Sequence, residues 1–167
     1  MITILQCSKN EMMNIAEHQF NVEGRCCSES VLLAACAALG VKNNDLIPSI
    51  VLGFGGGMGL QGHVCGAFSA AILGIGIATG QAIDDYAERK GETFQTVAVF
   101  LKKCAEKWKF IDCKSICGLD LTTPEGLDRL MNGGVKDRIC ASVVKETAGM
   151  LHEELQRIKS MKRGGMT

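Results

Sequence analysis

The chain carries no excess of either charge: 18 Lys and Arg are balanced by 18 Asp and Glu over 167 residues. A field strong enough to draw nucleic acid or anionic lipid to the whole chain is therefore absent. The one basic cluster, Lys159, Lys162 and Arg163, reads as a solvated end. The opening residues, Met1-Ile2-Thr3-Ile4-Leu5-Gln6-Cys7, lack the basic n-region and the long apolar stretch of a secretory signal, so a cytoplasmic location is expected. Charge disappears altogether from residues 46–83, which invites a membrane reading. A glycine-dense loop interrupts that stretch, and the remaining residues 64–83 hold several Gly together with Thr79 and Gln81. A span needs about 20 solidly apolar residues, so a buried core helix is expected and no membrane. The tight C-x2-C knuckle of zinc ribbons is missing, and so is the C-x-x-C-H haem attachment site. No convincing pair of strands can be found.

Helical periodicity fills most of the chain. Ser8-Lys9-Asn10-Glu11 is a capping-box pattern, with Met12, Ile15, Ala16 and Phe20 following at helical spacing. Residues 28–39 form a small, apolar second segment with Gly40 as its stop. Asp45 is placed to cap a short helix through Pro48 and Ile50 that runs into the glycine loop. Residues 64–80 suggest a buried helix. Residues 93–108 set Phe94, Val97, Ala98, Leu101, Cys104 and Trp108 along one stripe. Thr123-Pro124 is a cap followed by Pro at the first helical position, and Asn132-Gly133-Gly134 ends that piece. Residues 135–159 are the clearest amphipath, with Cys140, Val144, Ala148, Leu151, Leu155 and Ile158 on the inner face. These signals predict an all-α fold: a single-domain helical bundle over residues 1–159, with a glycine-rich loop between two helices and a disordered tail at 160–167. A chain of this length buries roughly 70% of its unfolded surface and needs no crosslink to fold. Its apolar composition is compatible with a homodimer.

Gly57-Met58-Gly59-Leu60-Gln61-Gly62 fits the G-x-G-x-x-G dinucleotide fingerprint, and Asp84 and Asp85 follow at about the spacing of a ribose-binding acid. The second strand that such a fold requires is missing, and nothing later alternates strand with helix. Glycine is so dense here that a chance match is easy. The loop is better read as backbone that turns sharply and approaches something closely.

What the chain has in plenty is cysteine, nine in all. In a reducing compartment these read as metal ligands, redox thiols or small core residues, not as a disulfide framework. Cys65-Gly66-Ala67 stands out because it joins the glycine loop to an apolar helix. A thiol at a helix start faces unpaired N–H groups and the positive end of the dipole, which favours thiolate. Gly24-Arg25-Cys26-Cys27 leads into an apolar helix in the same way. Cys113 and Cys117 form a C-x3-C, weak by itself, and Cys140 lies on an inner helical face. Cys36 and Cys104 occupy apolar stripes and read as core, and Cys7 has no assigned role. His63, two residues before Cys65, is better read as an ordinary loop histidine than as a base or ligand.

Gly24-x-x-Cys27-Ser28-x-Ser30-Val31, Gly53-Phe54-Gly55-Gly56-Gly57, Cys65-Gly66-Ala67, Ile111-Asp112-Cys113 and Cys140 together resemble a redox-active protein family with a C…CGAxxG…C…C arrangement. The resemblance spans about residues 15–155. It implies that Cys27, Cys65, Cys113 and Cys140 are the functional cysteines, with Cys26 and Cys117 as neighbours that could substitute for them. The family's closing glycine is here Ala70. A related domain in the split-Soret cytochromes implies an iron–sulfur centre, most simply [2Fe–2S], on the four thiolates, for electron transfer or redox sensing with an unknown partner protein. The resemblance leaves two alternatives open: a metal-free thiol–disulfide protein with Cys65 as the attacking thiolate, and a structural zinc site. A redox or metal-binding role is favoured over that of a turnover enzyme.

Overall fold

The computed structural model describes residues 5–42 and 46–161. The expected cap Asp45, the basic residues Lys162 and Arg163, and all but the first two residues of the expected tail lie outside them. Among the described residues the fold is all-α; the sole β feature is an isolated bridge between Val64 and Asp112. The helices are α1 (Lys9–Asn21), α2 (Cys27–Leu39), α3 (Leu46–Ser49), the short turn α4 (Gly55–Met58), α5 (Gly66–Ala82), α6 (Tyr86–Trp108), α7 (Cys113–Cys117), α8 (Pro124–Met131) and α9 (Ala141–Met161). A π-helical turn, Lys136–Cys140, leads directly into α9.

Local chemistry sets most of the boundaries. Ser8 and Glu11 close the expected capping box on α1. Gly40 ends α2 in the left-handed conformation, with φ of 66°. Thr123 accepts from the Gly126 N–H, with Pro124 at the first helical position of α8. Asp85, a candidate ribose acid in the fingerprint reading, instead accepts from the Glu88 N–H and caps α6. The absence of strand elements among the described residues leaves that fingerprint without its sheet.

Helices α1, α2, α5 and α9 pack on one another around the main core, and α6 closes it from outside against α5 and α9. Helix α2 is buried along nearly its whole length. Small residues let α5 reach both of its neighbours. A methyl on Gly74 would lie 3.2 Å from Ala35 Cβ and 3.1 Å from Leu151 Cδ2. The expected inner face of the last helix is buried from Val144 through Ile158, and the helix runs on to Met161.

Helix α6 differs most from expectation. It begins at Tyr86, seven residues before the expected start, and its inner stripe is rotated. Phe94 is 64% exposed, while Thr96, Phe100 and Cys104 face inward. Phe100 wins the core because it meets Phe68 edge-on, with centroids 6.5 Å apart, and Phe68 in turn stacks against Trp108 at 5.1 Å. The buried Glu154 of α9 fixes the same rotation. Its carboxylate accepts from Lys103 Nζ at 2.6 Å and Arg157 Nε at 3.1 Å, and Arg157 also reaches Glu92 of α6 at 2.8 Å.

Replacing Glu154 with Ala strips a buried acceptor from two cations that can partly rehydrate, so a loss of about 2–3 kcal/mol is expected. Urea unfolding of Glu154→Ala measures it. An unchanged midpoint would show that the network contributes no stability.

Candidate functional site

A second, smaller core lies beside the first. It contains Cys113, Cys117, Leu119, Leu121 and Val135. Ile139 and Cys140 pack against both cores, and Cys65 belongs to the first. Packing does not close along this seam. A cavity of about 380 Å³ remains, and six of the nine cysteines line it: Cys26, Cys27, Cys65, Cys113, Cys117 and Cys140.

Each cysteine reaches the cavity from the end of a helical element. Cys26 caps α2 and Cys27 is its first residue; the Glu29 carboxylate accepts from the Cys26 N–H at 3.0 Å. Cys65 caps α5. Cys113 opens α7, capped by Asp112, and Cys117 closes it. Cys140 ends the π turn. The N-termini of α2 and α5 therefore turn their unpaired N–H groups and positive dipole ends towards the cysteines.

The remote segments are tied together by backbone hydrogen bonds. The Cys65 N–H donates to Ile111 O at 2.9 Å, the Cys113 N–H to His63 O at 2.6 Å, and the Lys114 N–H to Gly62 O at 3.2 Å. His63 thus serves through its backbone, and its side chain is exposed. The glycine loop wraps this junction. Gly56, Gly57, Met58, Gly59 and Leu60 all have φ between 64° and 70°, forming a left-handed turn, a conformation that costs roughly 1–2 kcal/mol at each non-glycine residue. Its close approaches demand glycine. A methyl on Gly57 would lie 2.6 Å from His63 O and 2.7 Å from Cys113 Cβ. On Gly66 it would lie 2.6 Å from Cys27 Sγ and 2.7 Å from Phe54 O. Ser28 Oγ donates to Val51 O at 2.7 Å and pins the start of the loop to α2.

Burial governs the electrostatics. It is the largest influence on Cys65, raising its pKa well above that of an ordinary thiol. The neighbouring Cys27 adds to the shift, and the N–H groups of Ala67 and Phe68 offset only part of it. The thiolate-favouring helix start expected from the sequence is present, but desolvation outweighs it. Burial likewise raises Cys27, helped by Cys26 and opposed by the Gly56 N–H. Cys140 is pushed up to about 12 by burial and by Cys27 and Cys117, with Lys136 opposing. Cys113 and Cys117 interact directly. The hydrogen bond between them raises Cys113 and lowers Cys117, because the Cys113 thiol stabilises the Cys117 thiolate. Burial opposes the fall at Cys117 and the Leu119 and Cys117 N–H groups add to it. The Lys114 and Leu119 carbonyls, 3.9 and 3.8 Å from Cys117 Sγ, are too distant to decide the balance.

The structure therefore gathers Cys27, Cys65, Cys113 and Cys140 around one cavity, with Cys26 and Cys117 beside them. It keeps the other three away. Cys36 and Cys104 are buried in the main core, and the Cys7 carbonyl lies 3.1 Å from His152 Nε2. All nine are free thiols. Among the described residues, no group of three or more His, Cys, Asp and Glu side chains is disposed to hold a single metal ion. Sequence reasoning missed Lys136 in the cavity wall. The spacing of Lys136, Cys140 and Val144 was the signal, since a four-residue step keeps side chains on one helical face.

An all-helical protein with a cysteine-lined cavity at the seam of two cores is the class that fold and site define. Residues 25–154 match the family described as "Putative redox-active protein (C_GCAxxG_C_C)", and the chain belongs to that family. The description's Gly-Cys-Ala order appears here as Cys65-Gly66-Ala67, and Ala70 stands at the closing glycine. Ala70 is fully buried. Over 110 residues the chain is 27% identical to an uncharacterized protein of Archaeoglobus fulgidus, covering 62% of this chain and 73% of that one. No solved structure matches. No helix among the described residues is long and apolar enough to cross a membrane.

Gly57→Ala is expected to destabilise the protein by about 2–4 kcal/mol, from left-handed strain plus overpacking against His63 and Cys113. Gly53→Ala, with open space around its Cβ position, serves as the control and stays within about 0.5 kcal/mol of wild type. Denaturant midpoints for the two variants check this; equal midpoints would contradict the close approach.

Proposed function

We propose that the cavity holds an iron–sulfur centre on Cys27, Cys65, Cys113 and Cys140, and that the protein works as a one-electron carrier or redox sensor. The observation that carries this reading is that four family cysteines from four separate segments line one cavity. The thiols raise one another's pKa, so negative charge cannot accumulate among them without a compensating cation. Metal binding removes their protons and supplies that positive charge. Such a centre would provide a reversible one-electron couple.

The chain's own residues would hold and tune it. The Gly56 N–H faces Cys27, and the Ala67 and Phe68 N–H groups face Cys65. Hydrogen bonds of this kind to ligand sulfur set a centre's potential.

One observation favours a second reading, a metal-free dithiol. Cys113 and Cys117 open and close the same short helix α7, the Cys113 thiol favours the Cys117 thiolate, and Cys117 is the thiol whose pKa falls. In that case Cys117, not the deeply buried Cys65, would be the nucleophile. Closing a Cys113–Cys117 disulfide would pass two electrons to an external disulfide and release two protons with them.

Anaerobic purification followed by iron and acid-labile sulfide analysis tests the first reading. It predicts brown protein with iron and sulfide in about equal amounts. Ser at position 27, 65, 113 or 140 should lower both sharply, whereas Cys36→Ser and Cys104→Ser leave them unchanged. Colourless, iron-free protein that loses two titratable thiols on mild oxidation would favour the dithiol instead.

A further inference from the structure

The cavity wall contains two cations and no Asp or Glu. Arg25 is already neutralised: its guanidinium pairs with Glu29 at 3.2 Å and donates to Gln19 at 3.0 Å. Lys136 is not. It is half-buried, and among the described residues no carboxylate lies within ion-pairing distance of it. Its ammonium sits 5.1 Å from the ring centroid of the buried Phe20. A cation–π contact returns only part of what a partly desolvated ammonium loses in leaving water.

The backbone places this charge with care. Lys136 opens the π turn and Cys140 ends it, and the Ala141 N–H donates to Lys136 O across the widened turn. Such turns are rare and cluster at functional sites. Lys136 and Cys140 therefore face the same cavity from one rigid element that continues into α9. Among the described residues no carboxylate pairs with this cation, so the cysteines that line the cavity with it are the groups placed to carry the negative charge it faces.

We propose that Lys136 is the fixed cation of the cysteine cavity: it supplies the counter-charge for negative charge held there and draws small anions to the thiols. The nature of the resident charge rests on the iron–sulfur reading, in which four thiolates and sulfide carry it. The attraction itself does not, because it acts on any anion that enters.

The test uses the full-length, metal-free, reduced chain and two small alkylating probes, anionic iodoacetate and neutral iodoacetamide. The rates at Cys27 and Cys140 are read by mass spectrometry, with Cys7 outside the cavity as internal reference. Lys136→Met and Lys136→Gln are expected to lower the iodoacetate-to-iodoacetamide rate ratio at the cavity cysteines about three- to tenfold, with the ratio at Cys7 unchanged. Lys136→Arg should retain the wild-type ratio. A merely structural lysine would alter both probes alike, so an unchanged ratio in Met and Gln variants overturns the proposal. Wild-type protein that never takes up iron and sulfide would sink the iron–sulfur reading alone, since the rate ratio is measured without metal.

Discussion

The Cys65 and Cys113 segments are far apart in the chain, and the site depends on the short backbone junction that joins them. The Cys65, Cys113 and Lys114 N–H groups donate to Ile111, His63 and Gly62. Backbone pairing of this kind fixes both segments to within hydrogen-bond tolerance, which no set of apolar contacts could do. Gly57 seals the junction by lying where a side chain would strike His63 and Cys113. Helix α2 and the π turn before α9 then bring Cys27 and Cys140 to the same cavity, and Gly66 allows α5 to approach Cys27. The left-handed turn from Gly56 to Leu60 is strain that the site retains, and Met58 and Leu60 bear it without the freedom of glycine.

The seam between the two cores explains why the cysteines are largely buried yet line an open space. Apolar side chains complete the interior on either side, but along the seam small thiols stand where larger residues would have filled the space. Incomplete packing forgoes contacts, and a pocket lined by desolvated thiols adds an electrostatic penalty whenever more than one of them ionises. Under the proposed iron–sulfur reading, a group that fills the space and bears positive charge at its metal atoms would relieve both costs. The helix ends, the inward N–H groups and Lys136 all favour negative charge on sulfur and none favours a neutral ligand. This shared direction unites features that arise in four separate stretches of sequence.

Helix positions were largely legible because caps and apolar spacing are local signals. Ser8 with Glu11, Gly40 and Thr123-Pro124 each mark a boundary that the structure keeps. The stripe on α6 was misread because Phe94 and Phe100 are equally apolar; only their partners Phe68 and Trp108 choose between them. The four family cysteines came from resemblance, since their spacing alone does not imply a common cavity. Burial reversed the expected ionisation of Cys65, because a helix start is visible in sequence and desolvation is not. The π turn and the left-handed turn carry no local signature beyond glycine density, and Lys136 gains meaning only once Arg25 is seen to be paired.

The central claim is that thiols from remote segments share one space while those in the main core do not. Cross-linking of the reduced, metal-free protein with a short bifunctional thiol reagent, followed by mass spectrometric mapping, tests it most directly. Links among positions 27, 65, 113 and 140, with 26 and 117 joining them and none to 36 or 104, are the predicted result. Links that join 65 or 113 to 36 or 104 in place of one another would contradict it.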